Sequence, residues 1–303
     1  MRRVKTALHV DTVLYKRLPS ERACRATLSP MSSNAHVARR EFVRTALGML
    51  AAAPFAARAF AQDTARLTDR IEFRRLVAAN RILAREEVVD AFGHVSVRDP
   101  ENAKRYVMAR SRSPELVDYA DLIRFEQDGR SLDPENRTPY GERMIHGAIY
   151  EVRSDVNAVV HNHAYSLLPF GITGRTLEPV VHVASVIGAD IPLWDIATRF
   201  NETDMLVRTM EQGRDLAATL GRNTCALMRG HGAVVAASSL KEAVITAIYL
   251  KVNAEVQLQA MAIGTPRGLS DAEVERSRAT QFSPLALDRA WEYFCARAGV
   301  DAI

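Results

Sequence analysis

Apolar side chains recur along residues 69–89 at Ile71, Phe73, Leu76, Val77, Ile82, Leu83 and Val88. Their spacing predicts a long helix with one buried face over 69–89. Gly93 ends that pattern. Residues 94–98 alternate, residues 105–109 read as a second short strand, and Asp99-Pro100-Glu101-Asn102 between them is turn chemistry, so the pair is predicted as a hairpin. A further strand is expected over 122–127, closed by Asp128-Gly129. Pro139-Tyr140-Gly141-Glu142 is expected to open a helix running to residue 153, with the proline in a starting position. Residues 158–163 form a buried-strand run, and 204–220 read as a helix. Apolar strands over 225–228 and 233–237 flank Arg229-Gly230-His231-Gly232, and Ser239 is placed to cap a long helix over 240–263. Strands and helices alternate throughout, which predicts an α/β sandwich in one domain over 66–300.

Composition narrows the picture. Of 303 residues, 48% are apolar and 25% charged, which excludes a fibre or a mostly disordered chain. The net charge of +4 is misleading: residues 1–61 hold 11 Lys/Arg and 3 Asp/Glu, and the remainder is mildly acidic. With no basic stripe to neutralise phosphates, no nucleic-acid partner is expected. No apolar run is long enough to span a bilayer, so no stable membrane anchor is expected. Arg39-Arg40 precede a short Ala-rich stretch, and Ala59-Phe60-Ala61 suits cleavage before Gln62. The N-terminal extension over 1–61 thus looks like a twin-arginine export signal, which implies a periplasmic or exported protein and otherwise a cytoplasmic one. An amphipathic surface helix with a chance arginine pair is the competing reading. Translation starts at Met1 or Met31. Cys225, in an apolar run, reads as a buried, inert thiol, and no disulfide with Cys295 is expected.

The chemistry concentrates in histidines. His161-Asn162-His163 ends a strand, where residues i and i+2 point to one face, so both imidazoles project together. Two imidazoles on one face can chelate a divalent ion. His231 is the best candidate for a third ligand, because its flanking glycines let the backbone turn tightly and offer the ring. Three imidazoles with an open position describe a catalytic rather than a structural site. The ligand set suits Zn2+ and also accepts Mn2+, Fe2+ or Co2+.

Four blocks carry a resemblance: Gly93-His94-Val95-Ser96-Val97-Arg98, then Pro139-Tyr140-Gly141-Glu142 with His146 and Tyr150, then Val159-Val160-His161-Asn162-His163, then Arg229-Gly230-His231-Gly232-Ala233. In this order and spacing the sequence resembles the class II aldolase/adducin family. The resemblance implies a three-layer α/β/α sandwich around a central, mostly antiparallel sheet. It implies His161, His163 and His231 as ligands of one divalent metal ion per subunit, Zn2+ or Mn2+. It implies Glu142 as the acid/base residue, or a fourth ligand when substrate is absent. It further implies a homotetramer with active sites at subunit interfaces. His146, one turn after Glu142, is expected to support the site from behind. Tyr249 on the last long helix is expected to pack in the core, with a reach to the site or a neighbouring subunit as the alternative.

The pattern departs from the family's sugar-phosphate aldolases. His94 stands where they have Asn, and Tyr140-Gly141 replaces a serine pair. Arg110 and Arg112 fall where a phosphate-contacting Ser-Gly is expected. Arginine grips carboxylates and tyrosine stacks on rings, so His94, Arg110, Arg112 and Tyr140 are read as substrate-binding residues for an aromatic acid. The bland alternatives are solvated loop charge for the arginines and a core imidazole for His94. His182, in a strand-like run, is read as a substrate contact or a buried structural imidazole. The combination resembles a subgroup that decarboxylates hydroxylated aromatic or pyridine dicarboxylates. The expected function is therefore a metal-dependent carbon–carbon lyase acting on a small molecule through a metal-stabilised enolate. An aldolase or epimerase of a non-phosphorylated hydroxy-carbonyl compound is the alternative. An adducin-like binding module is disfavoured by the three retained imidazoles. An iron oxygenase using His161, His163 and a carboxylate would betray itself by O2 dependence.

Overall fold

The computed structural model describes residues 70–133 and 135–303. The export signal read over 1–61 lies outside the described residues. Helix α1 (Ile71–Arg85) is followed by strands β1 (His94–Arg98), β2 (Arg105–Ala109) and β3 (Leu122–Glu126). Helix α2 (Arg143–Val152), β4 (Ala158–Asn162), α3 (Leu168–Thr173), β5 (Leu193–Trp194) and α4 (Ala197–Phe200) come next. Then follow α5 (Met210–Leu220), β6 (Cys225–Met228), β7 (Gly232–Ala237), α6 (Leu240–Ile263), α7 (Asp271–Gln281) and α8 (Pro284–Ala298).

The strands form one seven-stranded sheet in the order β3-β2-β1-β4-β7-β6-β5. Every pairing is antiparallel except β5 with β6. Helices α1 and α6 pack against the central strands β1, β4 and β7, while α2 and α5 pack on each other and on the sheet from the other side. Burial of every residue in β4, β6 and β7 follows from that double cover, which is why these strands read as unbroken apolar runs. Cys225 and Cys295 are free, buried thiols, and burial pushes them up to about 12 and about 11. No described helix is long and apolar enough to cross a membrane.

Four predicted boundaries shift, each for a local reason. Helix α1 stops at Arg85 because Glu87 adopts a left-handed conformation (φ 56°) and the amides of Val88 and Val89 turn back to the Leu83 carbonyl. Pro139 does not open α2. It forms an isolated β-bridge with Arg110, and the helix begins only after Glu142, which occupies the N-cap position. Helix α5 begins at Met210 rather than 204, because Thr209 and Gln212 close a capping box there. His182 starts a 3-10 helix (His182–Ile187) instead of lying in a strand. The cap on α6 falls where expected: Ser239 Oγ accepts from the Glu242 amide at 3.2 Å. The sheet's central register decides what happens next, because it sets His94 of β1 directly opposite His161 of β4.

Candidate metal centre

The pleat of β4 sends His161 and His163 to the same face, and their Nε2 atoms lie 2.9 Å apart. His231 arrives from the turn between β6 and β7. Gly230 takes the left-handed conformation that turn needs (φ 62°). Gly232 lies so close to the Asn162 carbonyl that any Cβ there would collide with it. A side chain at 232 would therefore push the turn off the end of β4. With glycine present, His231 Nε2 reaches 3.1 Å from His163 Nε2. The three ring centroids are 4.8, 5.0 and 4.9 Å apart, nearly an equilateral triangle.

Glu142 completes the group. Its Oε2 lies 3.6 Å from His161 Nε2 and 3.5 Å from His231 Nε2. Its Oε1 accepts a hydrogen bond from the Val207 amide at 2.9 Å. Burial alone would raise the Glu142 carboxyl, but the imidazoles of His161 and His231 outweigh it and hold the group well below the usual carboxylate range. Burial and the neighbouring rings of His161 and His231 push His163 down to about 3, so its ring is neutral and free to act as a ligand.

This set fits a divalent cation. His161 Nδ1 faces the Ala233 carbonyl at 3.2 Å and donates to it, which leaves the Nε2 lone pair turned toward its neighbours. His163 Nε2 meets two other Nε2 atoms, and a ring nitrogen cannot satisfy both with one proton. A cation shared among the three Nε2 atoms satisfies them together, as a single proton cannot. Ligands at about 2.0–2.1 Å stand about 2.9 Å apart at right angles and about 3.3 Å apart in a tetrahedron, and the observed separations fall in that range. Among the described residues, Glu142, His161, His163 and His231 are the group of four whose ligand atoms lie within 4.8 Å of one another.

A buried polar chain stands behind the centre. His94 Nδ1 meets His146 Nε2 at 2.6 Å, His146 Nδ1 meets Ser96 Oγ at 2.7 Å, and Ser96 Oγ meets the Tyr150 hydroxyl at 2.9 Å. Burial and His161 push His146 down to about 3, and burial drives His94 well down too, so both rings are neutral.

The remaining predicted residues divide. His94, Arg112, Tyr140, Glu142 and His163 line one cavity of about 400 Å³. The Tyr140 ring lies 4.7 Å from that of His94, and its hydroxyl donates to the Arg112 carbonyl. Arg110 lies outside that lining, its Nε donating to Asp121 at 2.7 Å. His182 is exposed on its 3-10 helix and does not line the cavity either. Tyr249 is half-buried against Phe294. Sequence reasoning missed Asp121, whose buried carboxylate holds both Arg110 and Arg112, and the backbone of Val207. It also missed Arg208, which lines the cavity. A backbone donor carries no side-chain signal, and Asp121 meets its arginines only after β3 has folded back.

A mostly antiparallel α/β sandwich with three imidazoles and a carboxylate gathered at a strand end has the donor set of a divalent-metal site. The chain belongs to the class II aldolase and adducin family: the Class II Aldolase and Adducin N-terminal domain matches residues 74–258. It is 35% identical to decarboxylase tropJ of Talaromyces stipitatus, over 66% of this chain and 80% of that one. It is 27% identical to 3,4-dihydroxyphthalate decarboxylase of Arthrobacter keyseri, over 62% of this chain and 78% of that one. Among solved structures, L-fuculose 1-phosphate aldolase from Glaciozyma antarctica PI12 superposes with a TM-score of 0.62 at 25% identity, covering 75% and 88% of the two chains. With decarboxylases and aldolases as relatives, the protein is an enzyme, a class II aldolase-type lyase.

Proposed function

We propose that the protein is a divalent-metal-dependent decarboxylase of a hydroxylated aromatic or pyridine carboxylic acid. The carrying observation is that Glu142 and His163 open into a cavity whose other walls include His94, Tyr140 and Arg112, groups that suit an aromatic acid. His161, His163 and His231 hold the ion, Zn2+ or Mn2+, with Glu142 beside it. A bound divalent ion supplies Lewis-acid stabilisation of the negative charge left when a carbon–carbon bond breaks.

Glu142 carries the proton. Ionised at rest, it takes the proton of the substrate's ring hydroxyl and delivers it to the ring carbon that bears the carboxylate. That carbon becomes tetrahedral. Loss of CO2 then returns its electron pair to the ring, restores aromaticity and leaves the ring oxygen as a phenolate, which takes up a proton from water. The Val207 amide fixes Oε1, so Oε2 is the oxygen left to move the proton. Tyr140, with burial pushing its phenol up to about 12, stays neutral and offers its ring as a stacking wall beside His94. His94 and Arg112 contact the substrate, while Arg110 acts through Asp121. His182 has no part in the site within one chain. We further infer that the protein is a homotetramer exported by the twin-arginine route.

The test is CO2 release from a dihydroxyphthalate by protein loaded with Zn2+ or Mn2+. Release that stops on chelation and returns with metal is the expected result. Cleavage of a hydroxy-carbonyl compound without CO2 would favour the aldolase alternative, which the solved aldolase relative supports.

A further inference from the structure

The segment 201–208, between α4 and α5, reaches the metal centre twice. Its Val207 amide holds Glu142 Oε1, and its Arg208 lines the cavity. The segment is built for this position. Asn201 and Met205 both adopt left-handed conformations (φ 57° and 67°), uncommon for residues other than glycine. Thr203 and Asp204 side chains accept from the Met205 and Leu206 amides at 3.0 and 3.2 Å and close the turns.

Arg208 is steered from behind. Its Nε donates to Asp204 at 2.6 Å, while neither Nη atom makes a hydrogen bond among the described residues. Nη1 lies over Gly141, next to Glu142, close enough that a Cβ at 141 would stand 3.7 Å from it. Arg112 lines the same cavity, and its Nη1 shares the single Asp121 carboxylate with Arg110. Asp121 engages Arg112 through Nη1 alone, which leaves the Arg112 Nε and Nη2 without a hydrogen bond among the described residues. The one acidic side chain lining the cavity, Glu142, is already engaged by Val207 and the imidazoles. The cavity therefore presents free guanidinium N–H groups, the chemistry that recognises a planar carboxylate.

We infer that Arg208 is a specificity-determining residue that receives a second carboxylate of the substrate, with Arg112 supporting it, so that the site selects hydroxylated aromatic dicarboxylates over monocarboxylates. The selection of a hydroxylated substrate rests on the decarboxylase reading above; the carboxylate anchor itself does not. A charge-assisted guanidinium–carboxylate contact corresponds to a preference of about 10-fold to 100-fold.

Calorimetry on the metal-loaded protein tests it with two unreactive probes, phthalate and benzoate. Wild type is expected to bind phthalate at least about 10-fold tighter than benzoate. Arg208→Gln should bring that ratio close to unity, and Arg208→Lys, which keeps the charge but not the fork, should restore part of it. Thermal melts establish that both variants fold. A wild-type ratio near unity, or a ratio unchanged in R208Q, overturns the inference. CO2 release from dihydroxyphthalate is measured in parallel. An intact phthalate preference without CO2 release supports the anchor while removing the decarboxylase reading.

Discussion

Glu142 divides its two oxygens between different tasks. Oε1 is tied to the Val207 amide, and Oε2 faces His161 and His231. Glu142→Gln keeps an oxygen acceptor for Val207 and removes the proton carrier. The variant is expected to keep its metal by elemental analysis and to lose roughly 10²–10⁴-fold in kcat. Activity within a few-fold of wild type would remove Glu142 from the proton path. The histidines of this centre were legible in the chain because the two-residue period of a strand is local. The roles of Arg110 and Arg112 were not. Asp121 is 11 and 9 residues away, and its carboxylate reaches them only through the pairing of β2 with β3.

At the scale of elements, helix α6 anchors β4, which carries His161, and β7, which follows His231. It packs on β4 and β7 and starts at Ser239, whose hydroxyl accepts from the Glu242 amide. Ser239→Ala leaves that amide unsatisfied and is expected to cost about 1 kcal/mol. In a domain of this size that lowers Tm by about 2–4 °C. Metal content should be unchanged, since the cap lies at the opposite end of β7 from His231. A melt within error of wild type would show that neighbouring groups replace the cap. Periodicity located α6 and its cap correctly because both signals are local. It misplaced the start of α2, where Pro139 was drawn into a bridge with Arg110. A tertiary pairing there overrode a helix-start signal.

For the whole molecule, the proposed metal would link stability to ion binding. An ion present at 100 times its Kd contributes about 2.7 kcal/mol to the folded state. Chelation should therefore lower Tm by about 5–10 °C. In the metal-free protein, acid should act in two stages. His146 and His163 both titrate near 3 when folded but near 6.5 when unfolded, so between those values the unfolded chain binds more protons. Their contribution is complete above about pH 6.5 and is lost as pH falls toward about 3. Burial raises the Asp121 carboxyl, but the Asp118 amide and the guanidiniums of Arg110 and Arg112 outweigh it and lower it overall. Its contribution is present above about pH 3.9 and is lost as pH falls through its lower folded value. Melts of the metal-free protein should thus hold level from pH 7.5 to about 6.5 and fall from there to pH 4, and a profile flat throughout would contradict the buried, neutral state of both rings.

Within the described residues, the chain's own order of side chains determined the α/β character, the face shared by His161 and His163, and the turn that offers His231. Each depends on neighbours a few residues apart, which covalent geometry and backbone sterics dictate. Only the folded structure decided that Val207 would hold Glu142, that Asp121 would gather two arginines, and that Arg208 would overlook the cavity. Those contacts join residues 65, 11 and 67 positions apart. No local preference encodes such pairings; they exist because sheet register and helix packing bring remote segments together.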